Sequence, residues 1–277
     1  MASEAQIAML RVRGLTKRYS TSRRVWRKRM SLVALDDVSF EISSGKTLGL
    51  VGSSGSGKST LARCVTRLER PEAGEIWIDD TDIAQLPIHD LLSYRSQIQM
   101  IFQDPTTAMN PRMSAADILQ EPLLIQRRGS ASERRLCTAD LMHEVGLSPD
   151  WMHRRVTEFS GGQRQRLAIA RALTLEPELL VLDEALTGLD LSTQAQIANL
   201  LLDLQAARSL TYLLISHDLS LVARMADTIA VMALGKIVEQ SPTREIMSAP
   251  AHPVTRALLG SATNLRAKHA AVRGGCL

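Results

Sequence analysis

A glycine-rich segment at residues 52–60 is the first feature of the sequence that could carry chemistry. It matches the pattern G-x-x-x-x-G-K-[ST] in full, and it consists of Gly52, Ser53, Ser54, Gly55, Ser56, Gly57, Lys58 and Ser59, followed by Thr60. Its glycines let backbone N–H groups curl around an anion, and a helix that starts there points its positive end at the same anion. The segment predicts a nucleotide phosphate cradle. Lys58 would reach the β- and γ-phosphates, and the Ser59 hydroxyl would ligate Mg²⁺.

Two neighbouring carboxylates form a second candidate site. The apolar run Leu179–Leu182 has the pattern of a strand buried on both faces, and it ends in Asp183 and Glu184. Ligands gather at the carboxyl edge of open α/β sheets. We therefore expect Asp183 to hold the Mg²⁺ shell and Glu184 to polarise a water for in-line attack on the γ-phosphate. Together the two elements indicate a nucleotide and Mg²⁺, but they do not separate a kinase from a GTPase or a mechanical ATPase.

The elements around these residues predict the fold class. Short β-type runs, including 9–13, 38–42, 47–51, 75–78 and 98–102, alternate with helical patterns at the start and again in the second half of the chain. The middle, at about 104–172, is almost entirely helical in pattern. This arrangement predicts an α/β core with a helical insertion.

A second helix start also suits an anion and narrows the class. Ser160, Gly161, Gly162 and Gln163 stand just ahead of an amphipathic run, with Ser160 as a natural N-cap and Gln163 as an extra donor. Two facing copies, each lending this end to the other's γ-phosphate, would use both helix starts. Here the sequence resembles the ABC ATPase family, whose signature reads LSGGQ. Phe159 stands in place of the usual Leu.

The resemblance implies roles for further residues. Gln103 is similar to the Q-loop glutamine that senses Mg²⁺ and the attacking water, and His217 to the switch histidine near the γ-phosphate. Tyr19 is similar to the aromatic residue that stacks on adenine. Asp190 stands where the D-loop aspartate falls, while Ala185, Thr187 and Gly188 depart from the family's E-P-x-S-A-L-D pattern.

The resemblance also implies a domain organisation. It covers residues 8–263 as one P-loop NTPase domain with the ABC ATPase fold. The expected parts are a RecA-like core with an antiparallel β subdomain (8–103 and 173–247), a helical signature subdomain (104–172), a C-terminal family extension (248–263) and a basic flexible tail (264–277).

Further stretches resemble the oligopeptide/dipeptide/nickel importer family, in its second-ATPase form. They are Phe102–Pro105, Met109–Met113, Ile118–Pro122 and His252–Leu259, the last with Val254 in place of Tyr. The resemblance implies an ATP-hydrolysing subunit at the cytoplasmic face of the inner membrane. It would pair with a related ATPase or with itself, and would work with two permeases and, indirectly, a solute-binding protein. The transported solute stays open.

Charge leaves a second class of function to consider. The chain carries 33 basic and 29 acidic residues, yet residues 11–30 hold nine basic residues and no acidic one. The basic insert at 20–30 could be solvated, could contact anionic lipid, or could bind nucleic acid. An ABC ATPase acting on DNA or ribosomes is thus the alternative, and a nucleotide-binding scaffold without activity is a third hypothesis. Since no reading module accompanies the charge, no nucleic-acid partner is expected.

Cysteines and apolar runs bear on the compartment. Cys64, Cys137 and Cys276 lie far apart and suit a reducing cytosol. No run approaches the roughly 18 apolar residues of a membrane span.

Overall fold

The computed structural model describes residues 8–21 and 30–260. Most of the basic insert and all of the tail at 264–277 therefore lie outside the described residues. The chain divides into two compact units, the first formed by Met1–Gln85 with Leu214–Leu277 and the second by Leu86–Leu213.

Strands and helices alternate along much of the chain. The strands are β1 (Ala8–Thr21), β2 (Met30–Ser43), β3 (Thr47–Gly52), β4 (Ala73–Ile78), β5 (Thr81–Asp82), β6 (Ile98–Ile101), β7 (Leu179–Asp183), β8 (Thr211–Ile215), β9 (Thr228–Ala233) and β10 (Lys236–Pro242). The helices are α1 (Lys58–Val65), α2 (Leu91–Gln97), α3 (Ala115–Ile125), α4 (Ala131–Glu144), α5 (Gly161–Leu173), α6 (Leu191–Arg208), α7 (Leu219–Met225) and α8 (Thr243–Ser248). Short 3-10 helices cover Pro105–Ala108, Pro149–His153 and Val156–Glu158, and residues 253–260 are helical.

The first unit contains an antiparallel sheet in the order β2-β1-β4-β5. It also places β3 parallel to β9, with Leu50 opposite Ala230, and β10 antiparallel to β9. The end of β8 reaches β3, because the Ser216 N–H donates to the Leu50 carbonyl at 3.3 Å. All residues of β3 are buried, as expected of a strand covered on both faces. This buried strand leads directly into the segment at 52–60.

The second unit contains the parallel pair β6 and β7, with Ile98 opposite Leu179. The start of β8 joins them through the Thr211 N–H, which donates to the Glu178 carbonyl at 2.9 Å. Strand β7 is buried along its whole length, and α3, α4 and α5 pack on one another in the middle of the chain. The apolar run before the two carboxylates is thus the buried strand that the sequence predicts.

Strands β1 and β2 differ in length from the sequence prediction. Strand β1 continues past Arg13 to Thr21, and β2 begins at Met30, because a hairpin ladder pairs Arg18 with Val33 and Tyr19 with Leu32. Part of the predicted insert is therefore strand, and Tyr19 lies in β1 just before the insert. Helix α1 ends at Val65, and shortly after it Arg67 takes a left-handed backbone conformation with φ 53°.

Among the described residues, we find no helix with the length and apolar character required to cross a bilayer.

Candidate functional site

In the first unit, the segment at 52–60 wraps around its own lysine. The Lys58 ammonium donates to the carbonyls of Gly52 and Ser53, both at 2.9 Å, and only 6% of the residue is exposed. Gly57 has no side chain with which to cap α1, and the first N–H groups of a helix have no intrahelical partner. The loop is therefore a curled backbone with a buried cation at the positive end of a helix, which is the arrangement that binds phosphates.

At two positions of the loop, only glycine avoids a steric clash. A Cβ on Gly52 would lie 2.2 Å from the Met232 carbonyl oxygen, and one on Gly57 would lie 2.3 Å from the Ala34 carbonyl oxygen. Gly57 also has φ 108°, a conformation that residues with a Cβ rarely adopt. The tight backbone path of the cradle thus depends on these two positions.

Tyr19 is half-buried in β1, and its hydroxyl donates to the Glu69 carboxylate. Burial raises the pKa of Tyr19, and its bond to Glu69 raises that pKa further. Sequence reasoning missed Glu69, because nothing in the chain order links it to Tyr19.

His217 follows β8 and is exposed. Next to it, buried Ser216 accepts from the Asp218 N–H at 3.0 Å, and Asp218 caps α7 by accepting from the Ser220 N–H at 2.8 Å. The backbone on both sides of His217 is therefore fixed, at the carboxyl end of a strand that lies beside β3.

In the second unit, the two carboxylates lie at the carboxyl end of β7. Asp183 is its last residue and is 8% exposed, while Glu184 is half-buried. Glu184 has φ 50°, and its carbonyl accepts from the Thr187 N–H at 3.0 Å in a tight turn. A left-handed glutamate costs roughly 1–3 kcal/mol, and such strain clusters at functional sites.

The signature residues form the start of α5. The Ser160 hydroxyl accepts from the Gln163 N–H at 3.3 Å, and the Gln163 side-chain oxygen accepts from the Ser160 N–H at 2.9 Å. This capping box orients Gln163 back over the helix end. Its amide NH₂ remains chemically able to act as the predicted donor.

Phe159 is buried at 3% exposure, directly before this helix end. Its ring meets the Trp151 ring edge-on, with centroids 6.1 Å apart, and the Arg154 guanidinium lies 4.6 Å from the centroid of Trp151. The residue that replaces the family's usual Leu therefore packs in the interior, where an aromatic pair is favourable.

Asp190 is the N-cap of α6. It accepts from the Thr193 N–H at 2.9 Å and from the Thr193 hydroxyl at 2.6 Å, and these bonds lower the pKa of Asp190. The first turn of α6 lies close to α5, since a Cβ on Gly162 would be 2.5 Å from Thr193 Cγ2.

A cleft of about 340 Å³ in the second unit brings several predicted residues together. Gln103, Gly161, Thr187 and Gly188 line it, together with Gln165, which sequence reasoning missed. Gln165 is 1% exposed, and its amide nitrogen has no hydrogen-bond partner among the residues that the structure describes. The local pattern gave no signal for Gln165, because residues two apart on a helix do not share a face.

The donor chemistry of the predicted metal ligands suits Mg²⁺. Ser59 offers a hydroxyl and Asp183 a carboxylate, both hard oxygen donors. Within residues 8–21 and 30–260, no group of three or more His, Cys, Asp or Glu residues could cage a metal. Mg²⁺ in nucleotide sites is held by one or two protein groups plus phosphate oxygens and water, so a hydroxyl and a carboxylate are each suitable donors for the ion.

Comparisons with known proteins support a single family. The sequence profile of the ABC transporter family matches residues 35–187. The dipeptide transport ATP-binding protein DppF of Haemophilus influenzae is 43% identical over 257 residues, which are 93% of this chain and 79% of that protein. A probable peptide ABC transporter ATP-binding protein of Sinorhizobium fredii is 45% identical over 256 residues, 92% of this chain and 72% of that protein.

Solved structures agree with this relationship. The chain matches a dimeric ATP-binding cassette, MJ0796, in a post-hydrolysis state bound to ADP and Pi, with a TM-score of 0.75 and 28% identity. That match covers 85% of this chain and 99% of the other. The match to cbiO1 from Clostridium perfringens, part of the ABC transporter complex cbiONQ, has a TM-score of 0.76 and 26% identity, over 87% of this chain and 91% of the other.

These relatives are transport proteins and ATP-binding cassettes, and they do not support the alternative of an ATPase acting on DNA or ribosomes. The fold class predicted from the sequence is confirmed, and so are ATP as the nucleotide and ATP hydrolysis as the activity. The match to the family profile and to these relatives over most of the chain establishes that the protein belongs to the ABC transporter family of ATP-binding proteins.

Proposed function

We propose that this chain is the ATP-hydrolysing subunit of an importer for di- or oligopeptides or a related small solute. The single observation that carries the nucleotide part is the phosphate loop, in which a 6% exposed lysine is held by two carbonyls at the start of α1. The names of the relatives from Haemophilus influenzae and Sinorhizobium fredii support a peptide as the cargo.

The residues then take the following parts. Lys58 and the N–H groups of residues 52–60 hold the triphosphate, and Tyr19 stacks on the adenine. Asp183 and Ser59, with Gln103, would hold Mg²⁺, which would supply neutralisation of phosphate charge when bound. Glu184 would accept a proton from the water, whose oxygen bonds to the γ-phosphorus as the bond from that phosphorus to the β–γ bridging oxygen breaks and ADP leaves. His217 would contact the γ-phosphate.

A second ATPase subunit completes the site in this proposal. Ser160, Gly161, Gly162 and Gln163 would contact the γ-phosphate held by the partner, and Asp190 would lie near it. Because the chain resembles the second-ATPase form of such importers, a related ATPase is favoured as the partner over a second copy of this chain. Closure of the pair on ATP would drive two permeases at the cytoplasmic face of the inner membrane, with a solute-binding protein delivering the cargo on the other side.

Substitution of the proposed base is the direct test. Glu184→Gln should bind ATP, hydrolyse it very slowly and persist as a closed dimer, measured by single-turnover ATPase assay and size-exclusion chromatography. Because a related partner could hydrolyse ATP on its own, the assay is made with the partner's own base inactivated. Full turnover under those conditions would remove Glu184 from its assigned part.

Lys58→Ala serves as the matched control for nucleotide binding. It should abolish binding or hydrolysis, because the triphosphate loses its buried cation. Affinity and turnover equal to the unsubstituted protein would contradict the cradle assignment and with it the proposed function.

A further inference from the structure

Beside the phosphate loop, the first unit holds a group of side chains around Tyr19, and the proposed function gives no part to Lys17, Arg63 or Glu69 among them. We name it the Tyr19 cluster, and it consists of Lys17, Tyr19, Thr60, Arg63 and Glu69.

Glu69 is the centre of this cluster. One of its carboxylate oxygens accepts from the Tyr19 hydroxyl, and the other pairs with the Arg63 guanidinium at 3.3 Å. The Glu69 side chain is 25% exposed, so water competes only partly for these bonds. Charge-assisted hydrogen bonds are the stronger ones, and two of them fix the carboxylate in place.

The surroundings of the Tyr19 hydroxyl also include residues of α1, the helix that begins at the phosphate loop. The Thr60 side chain acts to lower the pKa of the Tyr19 hydroxyl, and Thr60 follows Ser59 directly. Arg63 lies in the last turn of α1, so the partners of the hydroxyl belong to this helix or are held by it. The Tyr19 backbone lies in β1, and its hydroxyl is therefore held by groups that belong to α1 or are bound by it.

Lys17 adds a contact on one face of the ring. Its ammonium lies 5.6 Å from the Tyr19 ring centroid and donates to the Arg70 carbonyl at 2.8 Å. A cation held over one face leaves a base to stack against the other.

We infer that Glu69 is a positioning residue, which holds the Tyr19 ring at the orientation where an adenine stacks while its triphosphate occupies residues 52–60. The inference rests on the proposed function, in which Tyr19 stacks on the base. The distance between the phosphate site and the base site is then set by α1. This helix begins at the phosphate loop, and its Arg63 holds the Glu69 that holds the ring.

The expected effect is specific for the base. Without Glu69, the ring regains torsional freedom that must be lost again when ATP binds, and such ordering weakens affinity by roughly two- to tenfold. A ligand without a base makes no contact with the ring, so its affinity does not depend on how the ring is ordered. Inorganic tripolyphosphate contacts only the phosphate loop, so its affinity should stay the same.

The experiment measures binding of ATP and of inorganic tripolyphosphate to the full-length chain by calorimetry, in the presence of Mg²⁺. Glu69→Ala and Tyr19→Phe should each weaken ATP two- to tenfold and leave tripolyphosphate unchanged. The double variant should bind ATP no more weakly than the weaker single variant, because both substitutions break the same bond. In ATPase assays, KM should rise while kcat stays within twofold.

Glu72→Ala is the matched control for the removal of a negative charge near the nucleotide. Glu72 lies in the same connection, its side chain is exposed, and its backbone N–H donates to the Thr16 carbonyl at 2.9 Å, a bond that the substitution keeps. It should bind both ligands as the unsubstituted protein does. An equal change of ATP affinity in Glu72→Ala and Glu69→Ala would reduce the effect to charge and overturn the inference.

The remaining outcomes separate the inference from the proposed function. If Tyr19→Ala weakens ATP binding and Glu69→Ala does not, the positioning role is wrong and Tyr19 still stacks on the base. If Glu69→Ala weakens both ligands equally, Glu69 merely supports the fold. If Tyr19→Ala leaves ATP affinity unchanged, the base platform is wrong and the inference falls with it, whereas loss of both ligands in Lys58→Ala would still support the phosphate cradle.

Discussion

A single methyl group added at Gly162 should separate the signature helix from the start of α6. The Cβ of an alanine there would lie 2.5 Å from Thr193 Cγ2. Carbon atoms in contact normally stand about 3.5–4.0 Å apart, so one side must yield by about 1 Å or more. Thr193 cannot simply rotate away, because its hydroxyl donates to Asp190 at 2.6 Å. Either that bond breaks or the two helix ends move apart.

The magnitude follows from two opposing terms. Overpacking of this kind costs about 1–3 kcal/mol. Replacing glycine by alanine in a helix gains up to about 1 kcal/mol. Gly161→Ala provides the second term alone, because its nearest neighbour would be Leu189 Cδ2 at 3.9 Å, an ordinary contact. The free energy of unfolding of Gly162→Ala should therefore fall below that of Gly161→Ala by at least about 1 kcal/mol.

Urea denaturation of the purified variants measures this difference. The decisive variant is Gly162→Ala with Thr193→Ser, which removes Cγ2 and keeps the hydroxyl that bonds to Asp190. It should recover most of the loss, whereas Thr193→Ser alone should change stability little. Equal stability of Gly161→Ala and Gly162→Ala would refute the steric argument. Failure of the Thr193→Ser rescue would place the cost somewhere other than this contact.

Other parts of the chain give shorter predictions. Burial raises the pKa of Cys64 to about 11, so its thiol should resist iodoacetamide at pH 8 in the folded protein and react after unfolding, as mass spectrometry would report; rapid native labelling would contradict the burial. Thr255→Val removes a donor to Glu239 at a 1% exposed position, and it should lower the free energy of unfolding by about 1 kcal/mol at neutral pH. Burial acts to raise the pKa of Glu239, but hydrogen bonds from Thr255, Ala251 and His252 outweigh it and lower that pKa. Stability from this carboxylate is therefore present above its unfolded-state pKa and is lost as pH falls through its folded-state pKa, so the gap between the two proteins should narrow in acid. Gly52→Ala should abolish ATP binding, checked by calorimetry, because its Cβ would lie 2.2 Å from a backbone oxygen.

The sequence predicted best those features that are continuous along the chain. Residues 52–60 and 179–184 each combine a buried strand with the polar residues that follow it, so the local pattern contains both the element and the chemistry. The structure places these strands as predicted, with Lys58 held in the loop and Asp183 at the end of β7. The strong local pattern left little for tertiary context to change.

Contacts between residues that are distant along the chain could not be predicted from the sequence. Glu69 and Tyr19 are 50 positions apart, and no periodicity links a strand residue to a connection after a helix. The length of β1 was also missed, because residues 14–20 alternate poorly and their pairing depends on the partner strand. In both cases the missing information is which segments become neighbours, and one chain's pattern of residue types does not contain it.

Helices α1 and α5 each have a positive N-terminal end that suits an anion, but the residues that precede the two helices differ in capping. Helix α1 begins after Gly57, which offers no capping side chain, so an anion is the natural partner for its first N–H groups. Helix α5 begins after Ser160, whose hydroxyl already accepts from the Gln163 N–H at 3.3 Å. What remains there are the N–H groups of Gly161 and Gly162, which no intrahelical carbonyl can reach. A partly capped end should attract phosphate more weakly than an uncapped one. In the proposed mechanism this order is useful, because ATP would first be held by α1 of one subunit, and α5 of the other would add its contact only once the pair closes.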